Sequence, residues 1–149
     1  MNREEIRSNV NAYCRLRDVQ FAAYEMYARE HHLTAKELFV LDLIWFSEDG
    51  CFQSDICDRL SATKQTISAI VKKFQKLGYV NLVASDDDHR NKRILLTEAG
   101  LEYAGCIIQP AADAENDAMA ELDGKDIKEL VRLTTLFSNN MKRKFSEAH

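Results

Sequence analysis

A chain of 149 residues is the size of one ordinary domain, and its 46% hydrophobic residues are enough to close a core, so one compact unit is expected. Charged residues make up 30%, Gly occurs five times and Pro once, and no long polar tract or internal repeat is visible, which excludes disorder and favours a helix-rich protein. The opening "MNREEIRSNV" has no apolar signal stretch and the longest apolar runs, "LFVL" and "LIWF", are far too short to span a bilayer, so a cytoplasmic location without membrane contact is expected.

Periodic apolar residues at Ile6, Val10, Tyr13, Cys14, Phe21, Tyr24 and Ala28 predict a long first helix from about Arg3 to Glu30. "TAKE", Thr34 to Glu37, reads as a capping box that opens a second helix carrying Leu38, Leu41, Ile44 and Trp45. That helix should stop near "SEDG", where Asp49 and Gly50 turn the chain. Ser54 is placed to cap a short third helix, "DICDRL", and Thr63 to cap a fourth. In the fourth, Ile67, Ile70, Val71, Phe74 and Leu77 form one apolar stripe, and Gly78 stands where a left-handed glycine would end it. "YVNLVAS" and "KRILLT" then read as two strands joined by the polar turn "DDDHRN". Two further helices follow. One runs from about Glu98 into the 110s with Pro110 as a kink, and the other begins after "LDGKD" with Asp123 as its cap.

Net charge is −4, which taken alone argues against a nucleic-acid partner. The distribution reverses that conclusion. Between Ser54 and Thr97 eight Lys/Arg face five Asp/Glu, whereas the rest of the chain has twelve against nineteen. Two short helices joined by a tight turn and followed by a hairpin make a winged helix-turn-helix, whose second helix enters the DNA major groove. Opposite the apolar stripe of the fourth helix lie Gln65, Ser68, Ala69, Lys72 and Lys76. Gln65 can pair bidentately with adenine, Ser68 can bond a base edge or phosphate, and Ala69 allows close approach to a thymine methyl. Lys72 and Lys76 suit the phosphate backbone. Thr63 and Lys64 sit at the helix N-terminus, where free amides and the dipole attract a phosphate. In the turn, Arg90 is placed to enter the minor groove, with Asp88 positioned to hold its guanidinium. With neighbouring Ser61, Thr66 and Lys92, these residues form the candidate double-stranded DNA-binding set.

"DHRNKRILLTEAG", Asp88 to Gly100, resembles the wing signature of the MarR family of bacterial winged-helix regulators, with Asp88, Arg90, Leu96, Thr97 and Gly100 matching its pattern. "TKQTISAIVKKFQKLGYV" is similar to that family's recognition helix, and "LTAKELFVLDLIW" to its second helix. The resemblance implies a mostly α (α+β) fold: a winged helix-turn-helix lobe over 34–97, with a helical dimerisation region from 1–33 and 98–149. It also implies a homodimer that binds a pseudo-palindromic operator and represses transcription. Release of many such regulators by a small aromatic or phenolic ligand makes Tyr13, Tyr24, Trp45 and Phe46 candidate ligand-binding residues.

A rival signal is oxidation. One subgroup of the family senses peroxide through a first-helix cysteine beside tyrosines, and Cys14 follows Tyr13 with Arg17 one turn on. The four cysteines form no Cys-x-x-Cys pair, so neither a zinc site nor a disulfide framework is expected, and "EHH", Glu30 to His32, gives no firm ligand spacing with Cys14. No cofactor is implied. Nothing in the spacing pairs a nucleophile with a base, so an enzyme is not expected. A winged lobe used for protein contact is the alternative from another class. It should expose apolar residues on the outer face of the fourth helix, where this sequence is polar and cationic.

Overall fold

The computed structural model describes residues 1–84 and 92–148, and two compact units divide the chain, Met1–Gln109 and Pro110–His149. Among the described residues the elements run α1 (Arg3–Glu30), α2 (Ala35–Trp45), β1 (Cys51–Phe52), α3 (Gln53–Leu60), α4 (Lys64–Lys76), β2 (Val80–Ala84), β3 (Lys92–Leu96), α5 (Glu98–Ala120) and α6 (Gly124–Glu147). No helix is long and apolar enough to cross a membrane among the described residues.

Helix ends follow the local chemistry of the sequence. Asn2 and Glu5 form a reciprocal capping box at the start of α1, with backbone-to-side-chain bonds of 2.8 and 2.9 Å. Thr34, Thr63 and Asp123 cap α2, α4 and α6 as expected. The Thr34 box closes only halfway: the hydroxyl accepts from the Glu37 amide at 3.1 Å, but the Glu37 carboxylate turns to side chains instead of the Thr34 backbone amide. The third helix starts earlier than expected, at Gln53 with Phe52 as its flanking residue. Asp55, not Ser54, serves that end, accepting from the Phe52 amide at 3.4 Å.

Three helices stop in the same way. Past α1, His32 takes φ 59° while the amides of His32 and Leu33 donate back to Arg29 and Ala28 at 3.0 and 2.8 Å. Past α3, Ser61 takes φ 48° and the Ala62 amide reaches Cys57 at 3.0 Å. Past α4, Gly78 takes φ 82° and the Tyr79 amide reaches Phe74 at 2.9 Å. Each pattern satisfies the last carbonyls of its helix through a left-handed residue. Only Gly78 adopts that conformation without the steric penalty of a Cβ.

The first unit holds the core. Leu41 and Ile44 of α2, Ile56 of α3, Ile67, Val71 and Phe74 of α4, Val80 of β2 and Ile94 of β3 are all buried together. The expected α4 stripe is therefore correct except at its end, since Leu77 is 53% exposed where the helix gives way to the Gly78 turn. The sheet is antiparallel in the order β1-β3-β2, with Leu82 opposite Ile94 and Val80 opposite Leu96. Its third strand, β1, pairs Cys51 with Ile94 and is only two residues long, too short for alternation to reveal in the sequence. α1 joins this unit through Ala28 and Tyr27, whose hydroxyl donates to the Ile107 carbonyl of α5 at 2.6 Å. Burial, with a smaller contribution from the Glu30 charge, pushes the Tyr27 phenol up.

Pro110 lies inside α5 at the boundary of the two units, where its missing N–H removes a rung from the helix ladder. In the second unit α6 buries none of its side chains fully, and Leu130, Val131, Leu133 and Leu136 are exposed.

Candidate nucleic-acid interface

α3 and α4 are joined by Ser61, Ala62 and Thr63, a three-residue turn that the left-handed Ser61 makes possible. The Thr63 hydroxyl accepts from the Thr66 amide at 3.2 Å and lies 2.9 Å from the Thr66 hydroxyl. Thr63 and Thr66 therefore shape the first turn of α4 before any ligand arrives. Gln53 of α3 fastens the same turn, its Nε2 donating to the Lys64 carbonyl at 3.2 Å.

From this start the face opposite the core is set by helical rotation of about 100° per residue. Gln65, Ala69, Lys72 and Lys76 are exposed and Ser68 is half-buried. The side chains of Gln65, Ser68, Lys72 and Lys76 make no hydrogen bond or ion pair with any described residue. In an ordinary solvated helix such charges are commonly spent on i,i+4 pairs, as Arg29 and Glu25 are on α1. Here an uninterrupted row of unspent donors follows one side of the helix, with Ala69 leaving room between them. Ser61 and Lys64 are exposed at the N-terminal end of the row, and Lys92 is exposed at the start of β3. Asp88 and Arg90 lie outside the described residues, with the rest of the turn 85–91.

The mount of α4 contains residues that sequence reasoning did not select. Lys73, one step around from Lys72, forms an ion pair with Glu37 of α2. At the far end the Thr97 hydroxyl donates to the Gly78 carbonyl at 2.6 Å and accepts from the Gly100 amide at 3.0 Å. The Tyr79 ring stacks on Tyr103 with centroids 4.0 Å apart and planes 8° from parallel. Burial, then the neighbouring Tyr79 and Glu37, push the Tyr103 phenol up. Thr97 and Gly100, known from sequence only as matches to a wing signature, thus join the wing to α5. The arginine next to Lys92 has a structural use: Arg93 lies 5.6 Å over the Phe52 ring and donates to the Asp49 carbonyl at 3.2 Å.

The expected ligand residues do not share one cavity. Trp45 and Phe46 line a cleft of about 470 Å³ with Leu95, Leu96 and Leu101. Tyr24 packs edge-on against Phe39, 5.1 Å away, and neither it nor Tyr13 lines that cleft. Phe46 is 60% exposed. Cys14 is half-buried on α1, and Arg17, expected to favour its thiolate, bonds to Asp18 at 3.0 Å. That hydrogen bond and charge raise the Arg17 pKa, with Cys14 a smaller influence. Burial pushes the Cys51 thiol up, away from the reactive thiolate. Among the described residues no three His, Cys, Asp or Glu side chains converge, so Glu30, His32 and Cys14 form no metal cluster.

Residues 28–91 match the family model described as MarR family. The chain is 31% identical over 98 residues to the HTH-type transcriptional regulator SarZ of Staphylococcus haemolyticus, a stretch covering 66% of this chain and 63% of that protein. The matched stretch is thus less than two thirds of SarZ's own length. Among solved structures, the MarR family regulator AbsC from Streptomyces coelicolor superposes with a TM-score of 0.78 at 18% identity, over 95% of this chain and 97% of that one. MepR of Staphylococcus aureus, solved as a complex with DNA, gives 0.69 at 20% identity, over 85% and 97%. The winged lobe, residues 28–91, is thus matched to the MarR family as a sequence, and the chain shares the fold of solved MarR family regulators.

Proposed function

We propose that this protein is a homodimeric transcription regulator that binds double-stranded DNA sequence-specifically through α4 and the wing. One observation carries the reading: α4 buries Ile67, Val71 and Phe74 on one side and presents Gln65, Ser68, Lys72 and Lys76 on the other, unpaired with any described residue. MepR, of similar fold, has been solved bound to DNA, which supports the same use here. A protein-contact lobe would present apolar side chains on that face, and this face has none larger than Ala69.

A second copy accounts for apolar surface that the single chain leaves uncovered. On α1, Leu16, Val19 and Met26 are 63%, 65% and 63% exposed and repeat at heptad spacing. α6 adds the exposed Leu130, Val131, Leu133 and Leu136. Two lobes in such a dimer would read half-sites about one helical turn, roughly 34 Å, apart. Repression follows where the operator overlaps a promoter. The Trp45/Phe46 cleft suits an aromatic effector, which would release DNA by favouring a lobe spacing that no longer fits the half-sites.

The test begins by selecting a preferred duplex from a random library and titrating variants against it. Gln65→Ala is expected to lose about 1–3 kcal/mol of discrimination at one base position while leaving stability unchanged. Lys72→Ala is expected to weaken binding to all duplexes alike and to reduce the salt slope by about one. If both variants bind as wild type does, the exposed face of α4 is not the reading surface.

A further inference from the structure

Lys73 stands at the flank of the proposed reading row on α4, and its partner is unusually well fixed. Glu37 stands in the first turn of α2, where its side chain is only 13% exposed. One carboxylate oxygen, Oε1, accepts the Thr34 hydroxyl at 3.3 Å, while Oε2 takes the Lys73 ammonium. The residue that caps α2 therefore orients the carboxylate that holds α4. The ends of α4 are fastened elsewhere, by Gln53 on the Lys64 carbonyl and by Tyr79 on Tyr103.

The packed stripe of Ile67, Val71 and Phe74 fixes which side of α4 is buried, and a directional bond at its flank adds to the control of its exact roll. Rotation is what DNA reading tolerates least. With a helix radius of 5–6 Å including side chains, a roll of about 20° carries an outer-face group about 2 Å, beyond hydrogen-bond reach of a base edge. A directional, charge-assisted bond at mid-helix resists that motion.

We propose that Glu37 is a positioning residue for DNA reading: its bond to Lys73 sets the roll of α4 that points Gln65 and Ser68 at the bases. The proposal rests on the DNA-binding reading above and adds to it a residue remote from the groove. It also assigns Lys73 to the scaffold, unlike Lys72 and Lys76, which serve the phosphates.

The experiment titrates wild type, E37A, E37Q and K73M against the selected duplex and a scrambled one across a salt series, with thermal unfolding of each variant. E37A is expected to lose about tenfold or more on the selected duplex, to bind the scrambled duplex as before, and to keep the wild-type salt slope. E37Q, whose amide oxygen can still accept from Lys73, should recover most of that loss, and K73M should match E37A without lowering the slope. Should E37A prove too unstable to titrate, E37Q and K73M decide the matter by the same criteria. Tighter binding by E37A with a slope raised by about one would mean that Glu37 merely withholds a phosphate-binding cation, which overturns the proposal. Equal losses on both duplexes, tracking a lowered melting temperature, would overturn it as a general loss of stability. Wild type that fails to distinguish the duplexes would sink the DNA-binding reading, whereas a discriminating wild type matched by E37A would sink this proposal alone.

Discussion

Gly100→Ala is expected to destabilise the winged lobe by about 3 kcal/mol or more, a large share of the 5–15 kcal/mol that holds a domain folded. The residue is helical, so intrinsic propensity alone would favour alanine by about 1 kcal/mol. Sterics decide otherwise. A Cβ at Gly100 would lie 1.9 Å from the Tyr79 carbonyl oxygen and 2.8 Å from its carbon. The obstacle is backbone, so no side-chain rotation relieves it. Tyr79 is fixed in turn: its amide bonds to Phe74 at 2.9 Å, its carbonyl accepts from the Thr97 amide at 3.0 Å, and its ring stacks on Tyr103. Accommodating the methyl would require α5 to withdraw and break the Thr97 bonds to Gly78 and Tyr79. Urea denaturation followed by circular dichroism measures the cost, with Gly124→Ala as control because nothing lies within 4 Å of its added Cβ. A G100A midpoint at or above that of the control would refute this account of the wing-to-α5 junction.

Phe74→Ala should cost about 3–5 kcal/mol, the range for removing a fully buried aromatic side chain. Phe74 is 0% exposed and among the largest fully buried side chains, packed with Ile67 and Val71 under α4. Its removal opens a cavity beneath the helix proposed to read DNA, so operator binding should fall with stability. Gln65, on the same helix, provides the contrast, since its truncation should change binding while the unfolding midpoint stays put. Equilibrium unfolding and titration of both variants separate the two effects. A loss below 1 kcal/mol for F74A would contradict the burial assigned to the stripe.

Much of this structure is legible in local chemistry. The apolar period places α1 at Arg3–Glu30, and Thr34, Thr63, Asp123 and Gly78 mark helix ends that the fold confirms. The outer face of α4, proposed to read DNA, was accessible for the same reason, because a helix fixes which residues oppose a buried stripe. What escaped depends on partners distant in sequence. Glu37 and Lys73 are 36 residues apart, Gln53 and Lys64 are 11 apart, and Gly100 acquires its role only where α5 meets Tyr79. His32 and Ser61 escaped for a different reason: neither residue type announces a left-handed backbone, yet each ends a helix as Gly78 does. The candidate ligand residues are divided between separate places in the fold. Aromatic side chains on two helices look alike in sequence, and only packing separates Tyr24, set against Phe39, from Trp45 and Phe46 at their own cleft.

The formal net charge of −4 is compatible with DNA binding because the charge that matters is local. Lys72 and Lys76 project from the exposed side of α4, while Lys73 is neutralised by Glu37 and Arg93 is occupied by Phe52 and Asp49. Among the described residues, fewer cations are therefore open to phosphates than the sequence suggests.

The most direct test is an equilibrium titration of the wild-type protein against its selected duplex and a scrambled duplex of equal length, at several salt concentrations. A preference for the selected duplex of about 10³-fold or more is expected, with log affinity falling linearly against log salt. Equal affinity for the two duplexes, or binding indifferent to salt, would contradict it.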